Sequence, residues 1–314
     1  MSPPTRIASL LSSATEILFA LGLEDRIVAV GHECDHPPAA ATKPRATFTH
    51  LDPSADGATI DRQVKQLLAE GRPLYEVDAP LLARLAPDLI VTQAQCDVCA
   101  VRYDDVVRAV RASPTLEQAE VVALNPQSLG DILDDVIRLG RAAGCEAAAQ
   151  AFRAALERRI DAVRARTERL TPDQRPRTAC IEWIEPLMIA GNWTPELVDL
   201  AGGRQSLAVG GRHSVYTPWD DVRRFDPEVI VVLPCGFDLR RTLQEAPRLL
   251  ELPGWRDLAA VRSGRVFGVD GNALFNRSGP RIVDSLELLA GLLHPDLFAE
   301  QAAAFDPQGF YARL

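Results

Sequence analysis

The stretch "RIASLLSSATEILFALGLEDRIVAVGHECDHP", residues 6–37, decides the fold class. It contains an apolar run at 6–10, a helical pattern at 13–23 and a second apolar run at 26–31. Each apolar run is short and ends at polar or turn-forming residues, as strands do. A strand, a helix and a second strand in this order predict two parallel strands joined by a crossover helix.

The same alternation continues along the rest of the chain. Further strands are predicted where apolar and β-branched residues cluster: 88–93, 120–124, 178–184, 228–234 and 264–270. Further helices are predicted where apolar residues recur at helical spacing: 79–87, 102–113, 195–203, 218–225 and 281–293. Strands that alternate with helices predict parallel sheets with helices on both faces.

A long helical pattern joins the two halves of the chain. Apolar residues recur at helical spacing from 146 to 170. About 25 residues at 1.5 Å each would form a helix of roughly 37 Å. The sequence therefore predicts an α/β fold of two parallel-sheet lobes, 1–145 and 171–314, bridged by one long α-helix at 146–170.

Composition limits the partners and the location. The chain of 314 residues has 34 Lys and Arg against 43 Asp and Glu, a net charge of −9. Since phosphate binding needs a basic face, we expect no nucleic-acid partner. No apolar run reaches the roughly 18 residues of a membrane span. Residues 1–16 lack the pattern of a secretory signal, so we expect a cytoplasmic location, or a periplasmic or cell-surface one if a leader has been trimmed.

Side chains suited to ligand binding follow the predicted strands. In open parallel sheets, ligands bind outside the carboxyl ends of the strands. In the first half these positions hold a hydroxyl, an amide, thiols, imidazoles and a carboxylate: Ser12, His32, Glu33, Cys34, His36, Gln95, Cys96 and Cys99. In the second half they hold Glu182, Trp183, Cys235 and Phe237. If the two lobes face each other, these loops line one cleft.

Several segments resemble a known family. They are "RIASLLSSATEILFALGLEDRIVAVGHECDHP", "LLARLAPDLIVTQ", "PLMIAGNWTPELVDLAGG", "PWDDVRRFDPEVIVV" and "ALFNRSGPRIVDSLELLAGLLHPDLF". In this order they are similar to the helical-backbone (class III) substrate-binding proteins of ABC importers, in particular the BtuF-like, cobalamin-binding sub-group. The resemblance implies capture of a metal chelate between two lobes and an ABC permease as partner. It also implies that Trp183, Tyr216 and Phe275 stand near ligand-contacting positions.

We therefore predict a non-catalytic binding protein for cobalamin, another corrinoid or a related metal chelate. Aromatic and apolar walls suit a large macrocycle, because it buries an extensive surface. The predicted ligand-contacting residues come from both halves of the chain: Ser12, His32, Glu33, Gln95, Glu182, Trp183, Tyr216, Phe237 and Phe275.

Two alternatives remain open. Cys96 and Cys99, with Cys34 and His32 or His36, have the ligand types and spacing of a zinc or iron site. The same two thiols are also compatible with a pocket wall without metal, or with a redox dithiol. The second alternative is a cytoplasmic enzyme on this scaffold, for which the sequence contains neither a nucleophile elbow nor a phosphate-binding loop.

Overall fold

The computed structural model describes residues 3–94, 101–305 and 309–314. The predicted site residues Gln95, Cys96 and Cys99 therefore lie outside the described residues. The described strands are β1 Ile7–Ser9, β2 Ile27–Val30, β3 Thr47–Thr49, β4 Tyr75–Val77, β5 Leu89–Gln93, β6 Glu120–Leu124, β7 Thr178–Trp183, β8 Met188–Ile189, β9 Val215–Tyr216, β10 Val229–Val232, β11 Val266–Val269 and β12 Tyr311–Arg313.

The helices fall between these strands for most of the chain. They are α1 Ser12–Ala20, α2 Gly57–Ala69, α3 Ala79–Leu85, α4 Tyr103–Arg111, α5 Leu129–Ala142, α6 Glu146–Thr167, α7 Thr194–Leu200, α8 Trp219–Phe225, α9 Leu239–Glu245, α10 Ala259–Arg262, α11 Ile282–Leu293 and α12 Ala299–Phe305. The predicted α/β fold class is confirmed. Across the described ranges, no helix combines the length and the apolarity that a membrane span requires.

The chain folds into two compact units. The first consists of residues up to Ala55, Thr59–Pro126 and Gly130–Ala155; the second consists of Asp56–Ala58, Gln127–Leu129 and Leu156–Leu314. Helix α6 is continuous and contributes residues to both units. The lobe limits and the cleft predicted from the sequence remain predictions.

The described part of the first unit contains a four-stranded parallel sheet in the order β2-β1-β5-β6. Its central strands are apolar and buried, as in Ile7, Leu89 and Ile90, because a parallel sheet is covered on both faces. A second, two-stranded antiparallel sheet pairs β3 with β4 and brings Thr47 opposite Val77. This small sheet was not predicted from the sequence.

The described part of the second unit contains a six-stranded sheet in the order β12-β11-β10-β7-β8-β9. Its centre, β11-β10-β7, is parallel as predicted. Strand β12 at one edge and β8 and β9 at the other are antiparallel. The second sheet is therefore mixed. Strands β8 and β9 continue it beyond β7, and β7 ends at Trp183, a predicted site residue.

Candidate functional site

His32 lies at the carboxyl end of β2, in the loop that follows this strand. Its backbone N–H donates to Thr47 Oγ1 over 2.9 Å, and its Nδ1 lies 2.8 Å from the same oxygen. Its ring packs on Tyr75, with the ring centroids 5.1 Å apart. Since Thr47 belongs to β3 and Tyr75 to β4, the small antiparallel sheet fixes the orientation of this imidazole.

Burial and a neighbouring positive charge favour the neutral form of His32. Burial, and after it the positive charge of Arg45, lowers the pKa of His32 to about 4. Arg45 Nη1 donates to the carbonyl oxygens of Gly31 and Cys34 at 2.7 Å each and to that of His32 at 3.1 Å. Glu33 Oε1 lies 4.0 Å from His32 Nε2, beyond hydrogen-bond length. The arginine thus fixes the loop backbone and disfavours an imidazolium.

The Cys34 thiol lies in the core of the first unit. It is buried, Thr15 Oγ1 donates to its Sγ over 3.1 Å, and the Ser9 carbonyl oxygen is 3.8 Å from it. Among the residues that the structure describes, no three His, Cys, Asp or Glu side chains are grouped as a metal site. Because Cys96 and Cys99 are not among them, the zinc or iron site remains a prediction.

Ser12 is the other predicted residue of the first unit that the structure describes. It is the first residue of α1 and follows the carboxyl end of β1 by three positions. The residue is largely buried. Its role as a ligand contact remains a prediction.

A row of side chains crosses the edge of the second sheet. Trp183, the last residue of β7, pairs with Met188 of β8, and Met188 pairs with Tyr216 of β9. Since directly opposed residues project from the same face of a sheet, Trp183, Met188 and Tyr216 form one row, here named the edge row. Trp183 also packs on Phe237, with centroids 5.1 Å apart, whereas Tyr216 at the outer end is 53% exposed.

Glu182 holds the chain segment that leads into β9. Its Oε2 accepts a hydrogen bond from Ser214 Oγ over 2.7 Å, and the same hydroxyl oxygen accepts from the Gly191 N–H over 2.9 Å. Strand β9, which carries Tyr216, begins at the next residue after Ser214. Glu182 therefore helps to place the outer end of the edge row.

Phe275 is a core residue, which corrects the prediction that it contacts ligand. Its side chain is 1% exposed. Its backbone N–H donates to Ser285 Oγ over 2.9 Å, and its carbonyl oxygen accepts from Trp193 Nε1 over 2.7 Å. These contacts and the packed ring leave no aromatic surface for a ligand.

Five residues that orient the candidate site were not predicted from the sequence. They are Arg45, Thr47, Tyr75, Met188 and Ser214. A weak signal existed for two of them, because β-branched and aromatic residues alternate with polar ones at 47–49 and at 75–77. For the other three, the contacts depend on tertiary structure that no local pattern specifies.

Known proteins match this chain in sequence and in fold. The family described as "Periplasmic binding protein" matches residues 7–273. An "Uncharacterized ABC transporter substrate-binding lipoprotein YvrC" of Bacillus subtilis (strain 168) is 23% identical over 305 residues, which cover 95% of this chain and 82% of the relative.

Two solved structures share the fold. A periplasmic haem-binding protein from Pseudomonas aeruginosa is 20% identical, with a TM-score of 0.68 and coverage of 94% of both chains. The periplasmic vitamin B12-binding protein BtuF of Vibrio cholerae is 21% identical, with a TM-score of 0.66 and coverage of 93% of this chain and 98% of its own. The helical-backbone resemblance predicted from the sequence is thereby confirmed at the level of the fold.

The expected cytoplasmic location is wrong. The matching family consists of periplasmic binding proteins, and the Bacillus relative is a lipoprotein of an ABC transporter. The expectation depended on the first 16 residues alone, whereas the family match extends over most of the chain.

Proposed function

Because this chain belongs to the periplasmic binding protein family, we propose that it delivers a metal chelate of the corrinoid class, such as cobalamin, to an ABC permease. The proposed ligand contacts come from the carboxyl ends of the strands: Ser12, His32, Glu33, Glu182, Trp183, Tyr216 and Phe237, with Gln95 outside the described residues. Two relatives of similar fold are named for haem and for vitamin B12, both planar macrocycles that hold a metal.

The edge row is the observation that carries this proposal. Trp183 supplies an aromatic ring that packs on the buried Phe237, Met188 adds a thioether, and Tyr216 extends the row to an exposed edge. Flat aromatic surface and a polarizable sulfur suit the face of a macrocycle. An uncharged row of this kind offers contact area without requiring a charged ligand.

Two carboxylates favour a corrinoid over haem. Glu33 follows β2 and Glu182 lies next to the end of β7. The rim of a corrinoid carries amides, whereas that of haem carries two propionate carboxylates. Like charges placed close together disfavour binding, so the amide-bearing macrocycle suits these strand ends better.

Calorimetry and absorbance titrations with cyanocobalamin, haemin and zinc chloride test the proposal. We expect cyanocobalamin to bind with a Kd of about 10 μM or below, about −7 kcal/mol. Trp183→Ala should weaken binding roughly 30-fold, since loss of a central aromatic contact costs about 2 kcal/mol. If cyanocobalamin produced no heat and no spectral change at tens of micromolar protein, the proposal would be contradicted.

Trp219 provides the matched control. It belongs to the same unit, packs on Trp255 with centroids 5.9 Å apart and donates its Nε1–H to the Pro253 carbonyl oxygen. It is the first residue of α8 and does not belong to the edge row. Trp219→Ala should leave the affinity for cyanocobalamin unchanged, and an equal loss in both variants would sink the assignment of Trp183.

A further inference from the structure

The hydroxyl of Thr47 determines which nitrogen of His32 carries the proton. Thr47 is buried, and its Oγ1 already accepts the backbone N–H of His32 over 2.9 Å. The hydroxyl hydrogen needs an acceptor, and within the described residues His32 Nδ1, 2.8 Å away, is the acceptor in reach. A proton on Nδ1 would instead leave the hydroxyl hydrogen unpaired, at a cost of about 1–3 kcal/mol.

The donor count therefore makes Nδ1 the acceptor and places the imidazole proton on Nε2. This assignment has a chemical consequence. A histidine nitrogen coordinates a metal through its lone pair, and a nitrogen that carries a proton has no lone pair to give. His32 Nε2 is thus a hydrogen-bond donor as long as Thr47 holds Nδ1.

Within the described residues, no acceptor lies at hydrogen-bond distance from His32 Nε2. The atom is shielded from solvent and has no hydrogen-bond partner among the described residues. The Glu33 carboxylate is the near neighbour, at 4.0 Å, and its side chain is 44% exposed. A buried N–H without a partner costs free energy, so an acceptor brought by a ligand would recover it.

We propose that His32 donates a hydrogen bond from Nε2 to an oxygen atom on the rim of the ligand and does not coordinate the metal of the chelate. This inference rests on the proposed function and adds to it the role of one residue in specificity. Amide carbonyls and carboxylates share the required acceptor chemistry. The amide is favoured, because the Glu33 carboxylate repels a second anion at this position.

The proton position can be measured without any ligand. Two-bond ¹H–¹⁵N correlation spectra of the ligand-free protein distinguish a protonated Nε2 from a protonated Nδ1, and His32→Gln identifies the signals. We expect a protonated Nε2 in the wild type and a mixture of both forms in Thr47→Val, which removes the hydroxyl. A protonated Nδ1 in the wild type would overturn the assignment whatever the ligand proves to be.

Binding of three chelates separates donation from coordination. An imidazole that coordinates the metal replaces the axial water of aquocobalamin and shifts its visible spectrum. In cyanocobalamin the cyanide occupies the corresponding position. Haemin presents carboxylates on its rim in place of amides. We expect aquocobalamin to keep its water-ligated spectrum on the protein. His32→Leu should weaken both corrinoids about 5-fold, as for loss of one hydrogen bond, and His32→Gln, which can still donate, should lose less.

Three outcomes would overturn the donor role. One is a shift of the aquocobalamin spectrum that disappears in His32→Leu while the affinity for cyanocobalamin is unchanged, which is the result expected of a metal ligand. The second is unaltered affinity for all three chelates in His32→Leu. The third is an absence of binding by the wild type, which overturns the proposed function as well but leaves the tautomer to be judged from the ligand-free spectra.

Discussion

Asp135 on α5 is a buried carboxyl group that the binding proposal does not use. It is 2% exposed, and its Oδ2 has no hydrogen-bond partner in the described part of the chain. Arg138 Nη1 lies 3.6 Å from Oδ1, too far for a strong hydrogen bond. Burial raises the pKa of Asp135 to about 7, with Arg138 opposing the shift and the charges of Asp131 and Asp134 adding to it.

This raised pKa makes the stability of the protein depend on pH. The unfolded chain releases the proton near pH 4, whereas the folded protein holds it up to about pH 7. The folded state therefore binds more protons between these values, and the free energy of unfolding falls as the pH rises through this window, by up to about 1.4 kcal/mol per pH unit. Below the window both states are protonated, so the penalty is absent.

Asp135→Asn should remove most of this dependence. The amide has nearly the same shape and no charge, so urea denaturation at pH 8 should find the variant more stable than the wild type by more than about 1 kcal/mol. At pH 5 the two proteins should differ less. Asp161→Asn is the control, because Asp161 is an exposed carboxylate on α6 that pairs with Arg164. A variant that is equally destabilised at both pH values would disprove the account.

At the residue level, the sequence placed the candidate site residues at strand ends but did not predict which way each side chain points. Trp183 and Phe275 are both aromatic and both follow apolar segments, yet Phe275 is fully buried. Its backbone φ of 67° lies in the left-handed region, where residues other than glycine are uncommon. No hydrophobic periodicity predicts that conformation, so the burial of the Phe275 ring could not be predicted from the sequence pattern.

At the level of elements, the edge of the second sheet depends on a close approach at Gly191. A Cβ atom there would lie 2.3 Å from the Arg212 carbonyl oxygen and 2.7 Å from the His213 carbonyl carbon. Both contacts are with backbone, which cannot rotate aside. Because the Gly191 N–H also donates to Ser214 Oγ, any shift would reach the segment that enters β9.

Gly191→Ala should therefore destabilise the protein by about 1–3 kcal/mol, the usual cost of overpacking. It should also weaken cyanocobalamin binding, because it displaces the strand that carries Tyr216. Gly210→Ala is a matched control, since a Cβ at Gly210 would meet only the Pro195 side chain at 3.8 Å. Urea denaturation of both variants provides the measurement, and equal stability of the two would contradict the role given to Gly191.

Most of the strands that the sequence predicted contain an uninterrupted run of apolar residues. The runs Leu89–Val91 and Val229–Val232 are buried and uniformly apolar, as expected of strands covered on both faces. Strands β8 and β9 contain two residues each, too few to show alternation. Strand β8 pairs with β7, and β9 pairs with β8, so both form only when the sheet is assembled.

For the whole molecule, the alternation of strands and helices was sufficient to predict the fold class, because parallel pairing requires a crossover helix. The mixed character of the second sheet was not predictable in this way, since its antiparallel edges come from short segments. The location was predicted incorrectly from the N-terminal residues. Cellular location is set by a short targeting segment, which is independent of the fold that residues 7–273 specify.

Binding should also change the stability of the whole protein, and this gives a test that does not depend on an optical change of the ligand. A ligand that binds the folded state alone raises the free energy of unfolding by about 2.7 kcal/mol at a free concentration of 100 times Kd. Cyanocobalamin should therefore shift the urea midpoint of the wild type and of Trp219→Ala equally. The shift should be much smaller for Trp183→Ala at the same concentration, because its Kd is higher. If haemin, rather than a corrinoid, stabilised the wild type, the amide-bearing ligand class would be wrong while a macrocycle-binding function would stand.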